Sequence, residues 1–492
     1  MYILLLFTSF IIYSTNVIVA QDYLMKSQLR ESGKTSKTHT LLNFDSTGFF
    51  ALRFNKQMNY AEVEHYDTDL TFIKSYVLTK KRRKYIGVIN IANKMYLLYF
   101  RYIVNKQENT HDKVSLYAKQ IKTDHFCLAE DSIELIKPFR MTSNYYRGNF
   151  AVSPDNSKIL VYDYEEDGDI DQIRGLTNKI KLRVFNSEFK MLWNRTVNLS
   201  PDGGATRKVS IKKLRVNNKG EVAILTDIFR DHRSYSLRTV TADPTLFFVG
   251  KQKSDFSLFK PNLGDYFFNQ INFTFDTKGN ILWFGFYSNQ KYYQQAGVFY
   301  IKINSERTKV LIKKQHKFSE KLIAELINKK RIKQKMEARS YKLVHWQLTE
   351  DGGVVLSAEM QPSSSYNFRS NYILALRFSS DGEIQWTNHI FKNGNQPRKQ
   401  KVFLSHYLFT QSDNSYLFFN KGLYSDGYAS AIQIDSMGNK KQRKFYTYQN
   451  QQELFCPLLS FKLTDTNIFL CLQDRYFSSY KFALLDFKKL FD

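Results

Sequence analysis

The chain has 492 residues, of which 43% are hydrophobic and 16% aromatic, and its formal net charge is +26. That apolar content excludes a disordered polymer, and the length exceeds what one ordinary hydrophobic core supports. With 8 prolines and 21 glycines there is no Pro/Gly-rich linker, and three cysteines (Cys127, Cys456 and Cys471) exclude a disulfide framework.

The first 20 residues, MYILLLFTSFIIYSTNVIVA, carry no charged side chain and end on Ala20 with Ile18 two positions earlier. This is the form of a secretory signal peptide, although the segment before the apolar run has no Lys or Arg. Cleavage after Ala20 is the expectation, since Ser14, Thr15 and Asn16 interrupt the run; an uncleaved anchor, with membrane association, is the alternative. Residues 21–492 then form a single exported domain, secreted, periplasmic or at the cell surface.

Along that domain eight short apolar runs recur: FFALRF from Phe49, MYLLYF from Met95, ILVY from Ile159, VAIL from Val222, ILWFGF from Ile281, VVLSAE from Val354, YLFF from Tyr416 and IFLCL from Ile468. Their starts are 46 to 73 residues apart, the mark of a repeat architecture. Most runs follow an alternating segment and a turn signal, such as Asn217 to Gly220, Asp276 to Gly279 or Asp351 to Gly353. Asx bonding to its own backbone and Gly at positive φ make such a turn a tight hairpin. After each run comes a variable loop and a second alternating hairpin, clearest in NYILALRFSSDGEIQW from Asn371 to Trp386. Each unit therefore reads strand–turn–strand–loop–strand–turn–strand. The second strand is apolar on both faces, as a strand packed between two neighbouring sheets must be.

These units predict an all-β fold, a β-propeller of about eight four-stranded blades, with seven blades plus a small extra sheet as the alternative. Radial packing also removes the edges that eight separate sheets would expose. The last unit runs out of chain after SYKFALLDFKKLFD, so its outer strand is expected from Asp22 to Glu31. Cys456 and Cys471 flank a turn near Asp465 at unequal distances; by strand length they are not expected to face each other, and buried free thiols are the reading.

One segment departs from the pattern. Ser319 to Arg339 reads as a helix with Ser319 as N-cap and an apolar stripe of Leu322, Ile323, Leu326 and Ile327. It makes a basic insertion, 313–340, between the fifth and sixth blades, laid against the propeller by that stripe. This helix, with YKLVHWQLTEDGGVVLSAE and NYILALRFSSDGEIQW after it, resembles a segment of uncharacterised secreted β-propeller-like proteins of Bacteroidetes-type bacteria, over about residues 315–390. The resemblance implies an exported propeller-like protein and carries no catalytic residues.

Few residues point to chemistry. No His-x-x-x-His, Cys-x-x-Cys or Gly-x-Ser-x-Gly occurs, and no catalytic residue is assigned. The acidic segment DYEEDGDIDQIR holds Asp163, Glu165, Asp167, Asp169 and Asp171, partly in the spacing of a calcium loop, but Arg174 stands where the bidentate Glu belongs. A solvated acidic loop is the main reading and a weak calcium site the alternative; no other cofactor is expected. Two basic clusters, Lys80, Lys81, Arg82, Arg83 and Lys84, and Lys329, Lys330, Arg331, Lys333 and Lys335, favour an anionic partner or else solvated faces. The expected role is non-enzymatic: a monomeric binding or scaffold protein for an unknown protein or an anionic glycan or envelope surface. The alternative is a hydrolase or lyase acting on an anionic glycan at the channel mouth. Nucleic acid is disfavoured by export.

Overall fold

A computed structural model describes residues 24–26, 30–31, 38–45, 48–54, 60–79, 83–92, 94–105, 110–122, 127–140, 149–164, 179–199, 209–229, 242–264, 266–289, 294–326, 338–339, 341–360, 367–397, 401–423, 427–448, 453–474, 476 and 479–492. They form eight antiparallel blade sheets and a two-stranded sheet of Gln294–Gln295 with Ala338–Arg339, and the fold is an eight-bladed β-propeller. The chain divides into two compact units, one of Met1–Lys56, Glu62–Val77 and Arg339–Asp492 and the other of Gln57–Ala61 and Leu78–Ala338.

The second unit holds blades 2 to 5. Blade 3 shows the plan: Asn149–Val152, Lys158–Tyr164, Lys179–Asn186 and Met191–Asn198 pair in chain order. Blade 4 repeats it with Val209–Val216, Val222–Phe229, Ala242–Val249 and Phe256–Phe259, and blade 5 with Phe267–Phe275, Ile281–Ser288, Gly297–Ile303 and Val310–Lys317. Blade 2 departs from the expected four strands. Beyond Arg83–Ile91, Lys94–Asn105 and Thr110–Lys122, the outer position is shared by Cys127–Leu128 and Ile133–Arg140, which both pair with Thr110–Lys122. That third strand is 13 residues long, enough to take two partners end to end.

The apolar runs are the second strands, and alternate residues serve opposite seams. In blade 3, Ile159 and Val161 join the cluster with Leu98, Phe100 and Leu116 of blade 2, while Leu160 joins Val222, Ile224 and Phe247 of blade 4. In blade 4, Ala223 and Leu225 turn the other way, to Trp283 and Phe299 of blade 5. All eight residues of Ile281–Ser288 are buried. The outer strands fade to polar, as in Val310–Lys317, which buries none. Full burial of each Leu or Ile contributes about 1.5–3 kcal/mol, so the seams hold the unit together.

Most hairpins share one turn. Asn217 and Asp276 each accept, through Oδ1, hydrogen bonds from the backbone N–H two and four residues on, and Gly220 (φ 84°) and Gly279 (φ 80°) close the turn in the left-handed region. This is a three-residue loop ending in a glycine bulge. In blade 3 Phe189 takes that place (φ 59°), and its ring packs edge-on against Tyr96 of blade 2 at 4.6 Å. Arg307 of blade 5 (φ 61°) does likewise, pairing with Glu221 and lying over the Phe248 ring of blade 4.

The first unit holds blades 1, 6, 7 and 8. Blade 1 is Thr38–Asp45, Gly48–Phe54, Tyr60–Tyr66 and Phe72–Thr79. Blade 6 is Tyr341–Leu348, Val354–Met360, Asn367–Phe378 and Ile384–Pro397, and blade 7 is His406–Gln411, Asn414–Lys421, Tyr428–Ile434 and Lys440–Thr447. Blade 8 draws on both ends of the chain. Asn467–Gln473 pairs Ser479–Asp486, and the outer position is taken by Leu24–Lys26 and Arg30–Glu31, with Leu24 opposite Leu485 and Arg30 opposite Tyr480. The donated outer strand is therefore the expected one.

The inner strand of blade 8 is not. It is split into Leu454–Phe455 and Phe461–Lys462 by a 3-10 turn, Pro457–Leu459. The turn takes up residues that an unbroken strand would have spread along the sheet. Cys456 therefore lies beside Cys471, its N–H donating to the Cys471 carbonyl at 2.8 Å, contrary to the strand-length expectation. Both thiols are buried and free, and burial, then the neighbouring Cys471, push the Cys456 thiol well above its ordinary pKa.

The expected helix is present, and it ends before Ala338. Helix α1 spans Glu320–Leu326, with the Leu322 N–H donating to the Ser319 hydroxyl at 3.2 Å, so Ser319 is the cap. Leu326 is buried and Leu322 and Ile323 half-buried, as a helix laid on a surface requires. Ala338–Arg339 is a short strand, not helix; Ile327 lies outside the described residues.

Removing residues 24–31 should free the outer edge of Ser479–Asp486. We expect the truncated chain to self-associate on size-exclusion chromatography and to unfold at lower denaturant than the full chain; a monomer of unchanged stability would contradict strand donation.

Candidate functional site

Among the candidate calcium and anion-binding residues, Asp163 is the one whose side chain is described. It is the last residue but one of the second strand of blade 3, is buried, and its Oδ2 accepts from Arg183 Nη1 on the adjacent strand at 2.9 Å. Glu165, Asp167, Asp169 and Asp171 lie outside the described residues, as do Lys80, Lys81, Arg82, Lys329, Lys330, Arg331, Lys333 and Lys335. Arg83 and Lys84 open the first strand of blade 2. No group of three His, Cys, Asp or Glu among the described residues could hold a metal ion.

Asp163 belongs to a pattern. Near the end of the second strand, where each apolar run stops, stands a buried polar residue: Arg53, Asp163, Asp227, Ser288, Glu359, Asn420 and Gln473 in blades 1, 3, 4, 5, 6, 7 and 8. A buried charge is costly unless paired. Arg53 Nη1 donates to Glu64 Oε1 at 2.9 Å and to the Tyr480 hydroxyl at 3.0 Å, joining blades 1 and 8, and its guanidinium lies 4.6 Å over the Tyr480 ring. Asp227 pairs with Lys212 at 2.9 Å, yet burial still raises its carboxyl above the ordinary range. Asn420 Nδ2 donates to the carbonyls of Phe403 and of Phe455 in blade 8, at 2.6 and 2.7 Å.

The Glu359 end is the most elaborate. Strand alternation puts Ser357 and Glu359 on one face of Val354–Met360. Facing them is His406, the first residue of blade 7, with Lys392 from the outer strand of blade 6. Glu359 Oε1 receives Lys392 Nζ at 3.0 Å and His406 Nδ1 at 2.5 Å; His406 Nε2 lies 2.6 Å from the Ser357 hydroxyl. Lys392 also donates to the Leu404 carbonyl, and His345 Nε2 to the His406 carbonyl at 2.5 Å. Burial works against the Glu359 carboxylate, but Lys392 and His406 outweigh it and hold its pKa far below the usual range. Burial lowers His406 in spite of Glu359, keeping it neutral. An ionised carboxylate only accepts, so the imidazole proton sits on Nδ1 and Nε2 accepts from Ser357.

Serine, histidine and carboxylate thus stand in the order of an acyl-transfer relay. Access is what they lack: Ser357 and His406 are 0% exposed and Glu359 and Lys392 1%. The Ser357 side chain is enclosed, and its hydrogen bond to His406 joins blade 6 to blade 7. Sequence reasoning missed this group, although Ser357 and Glu359 lie inside the run VVLSAE. The legible signal was a carboxylate closing an apolar run; its partners come from 33 and 47 residues away.

No protein-family model matches the chain, and no curated protein matches it. Solved structures are similar at low identity. An uncharacterized protein from Listeria monocytogenes is 11% identical with a TM-score of 0.38, covering 83% of this chain and 93% of that one. The acylaminoacyl peptidase of Pyrococcus horikoshii is 10% identical with a TM-score of 0.38, and a puromycin-hydrolyzing peptidase of Mycobacterium tuberculosis 10% with a TM-score of 0.33. The chain spans 59% of each peptidase.

The buried imidazoles make stability depend on pH. Burial, then the nearby His406, lower His345 from 6.5 to about 4. Between those values the unfolded chain binds a proton that the folded chain refuses, so stability is present above pH 6.5 and lost as pH falls toward 4. His345 alone accounts for about 3 kcal/mol of that loss. Urea midpoints at a series of pH values should show it, with a shallower slope for His345→Gln; a flat profile would contradict the assignment. Glu359→Gln should cost about 3–5 kcal/mol by leaving Lys392 buried without its counter-charge.

Proposed function

We propose that the protein is an exported, non-enzymatic β-propeller that binds a protein or an anionic glycan at the cell envelope or outside the cell. The observation that carries this reading is the sealing of the Ser357–His406–Glu359 relay, since chemistry needs an accessible nucleophile. The net charge of +26 supports an anionic partner. The apolar N-terminal segment supports export, and the resemblance to secreted proteins of Bacteroidetes-type bacteria agrees with it. In this reading the strands hold the scaffold and the loops between them carry specificity.

Binding of the full chain to a sulfated glycan such as heparin tests the proposal. Retention should fall steeply as salt rises, and replacing Lys80, Lys81, Arg82, Arg83 and Lys84 with Gln should lower the elution salt. No turnover of p-nitrophenyl acetate above background is expected, and none that Ser357→Ala abolishes. Salt-insensitive retention would remove the anionic partner, and Ser357-dependent hydrolysis would replace binding with catalysis.

A further inference from the structure

Cys456 and Cys471 meet across blade 8. Leu454 stands opposite Gln473 and Phe455 opposite Leu472, so the next pair in that register is Cys456 with Cys471, and the Cys456 N–H donates to the Cys471 carbonyl at 2.8 Å. Directly opposed residues of an antiparallel pair project from the same face of the sheet. A hydrogen-bonded pair holds its Cα atoms about 5.5 Å apart, inside the range of about 4.4–6.8 Å that a disulfide spans. After burial, the Cys471 side chain is the next cause of the raised Cys456 thiol, which sets the two sulfurs side by side. The reduced pair is also satisfied: both residues are buried, and the Cys456 thiol donates to Gln473 Oε1 at 3.4 Å.

We propose that Cys456 and Cys471 are a modification site, a pair that closes to a disulfide in an oxidising compartment and fastens the inner strand of blade 8 to its second strand. The oxidant is a small disulfide such as glutathione disulfide. One cysteine thiolate attacks it, a mixed disulfide forms, and one glutathione leaves. The second cysteine thiolate then attacks the mixed disulfide and releases the other glutathione. Two cysteine thiols are oxidised, one small disulfide is reduced to two thiols, and the two protons pass to the departing thiolates. In the cell the reaction rests on the export proposed above, since disulfides persist outside the reducing cytosol; the pairing itself does not. Enclosure sets when the bond forms. The inner strand is two short pieces, Leu454–Phe455 and Phe461–Lys462, each paired over two residues, and Leu458 in the turn between them is 45% exposed. Such a segment opens locally more readily than a continuous strand, so the thiols are reached during folding or through that opening. The bond then closes the loop from Cys456 to Cys471 in the unfolded chain, which favours the folded one.

Thiol labelling of the full chain tests the site. The chain is equilibrated in a glutathione buffer rich in the disulfide, once folded and once while refolding from urea, then unfolded and treated with N-ethylmaleimide. We expect Cys456 and Cys471 to escape the label in the refolded sample. The tryptic peptides that end at Lys462 and Arg475 should then run as one cross-linked species, which a reductant separates. A cross-link in either sample supports the site. The oxidised chain should unfold at higher urea than the reduced chain, and Cys456→Ala should remove that difference. Should that variant fail to fold, the peptide assignment still decides on the unaltered chain. Labelling of Cys456 and Cys471 in both samples overturns the proposal, as do glutathione adducts on either residue or a cross-link through Cys127. So does an oxidised chain no more stable than the reduced one.

Discussion

The second strand of each blade has no solvent face, and the rest of the structure follows from that constraint. A strand buried on both sides is apolar over most of its length, which is why ILWFGF reads as an unbroken run and not as an alternation. Its odd residues fill one seam and its even residues the next: Leu417 and Phe419 of blade 7 pack toward blade 6, and Tyr416 and Phe418 toward blade 8. Within each unit, alternate residues of a central strand are completed by the neighbouring blade.

Where such a strand ends, a polar residue is caught inside the protein. Arg53, Asp163, Asp227 and Glu359 each find a counter-charge, and Asn420 finds two carbonyls. Replacing a buried ion pair with apolar groups is often neutral or stabilising, so these pairs are better understood as fixing partners than as adding stability. Glu359 holds Lys392 of blade 6 and His406 of blade 7 on one carboxylate oxygen, which ties the two blades together. Ser357, His406 and Glu359, though in the order of a relay, are enclosed between the two sheets.

Much of the scaffold was legible because its signals are local. Eight runs mark eight second strands, Asn217 to Gly220 and Asp276 to Gly279 mark turns that Oδ1 atoms close, and Ser319 marks a cap. The missing outer strand of blade 8 was legible by subtraction. What escaped was set by distant neighbours. The 3-10 turn at Pro457–Leu459 brings Cys456 to Cys471, and no periodicity announces it. His406 meets Glu359 through the packing of two sheets. Phe189, a phenylalanine in a glycine's place, is explained only by Tyr96 of the blade beside it.

Native-state hydrogen exchange followed by mass spectrometry tests the central constraint most directly. If second strands are held from both sides, the amides of Ile281–Ser288, Val354–Met360 and Asn414–Lys421 exchange only through global unfolding, while the outer strands Val310–Lys317 and Lys440–Thr447 exchange faster by local opening. Second strands exchanging as fast as the outer ones would contradict the account.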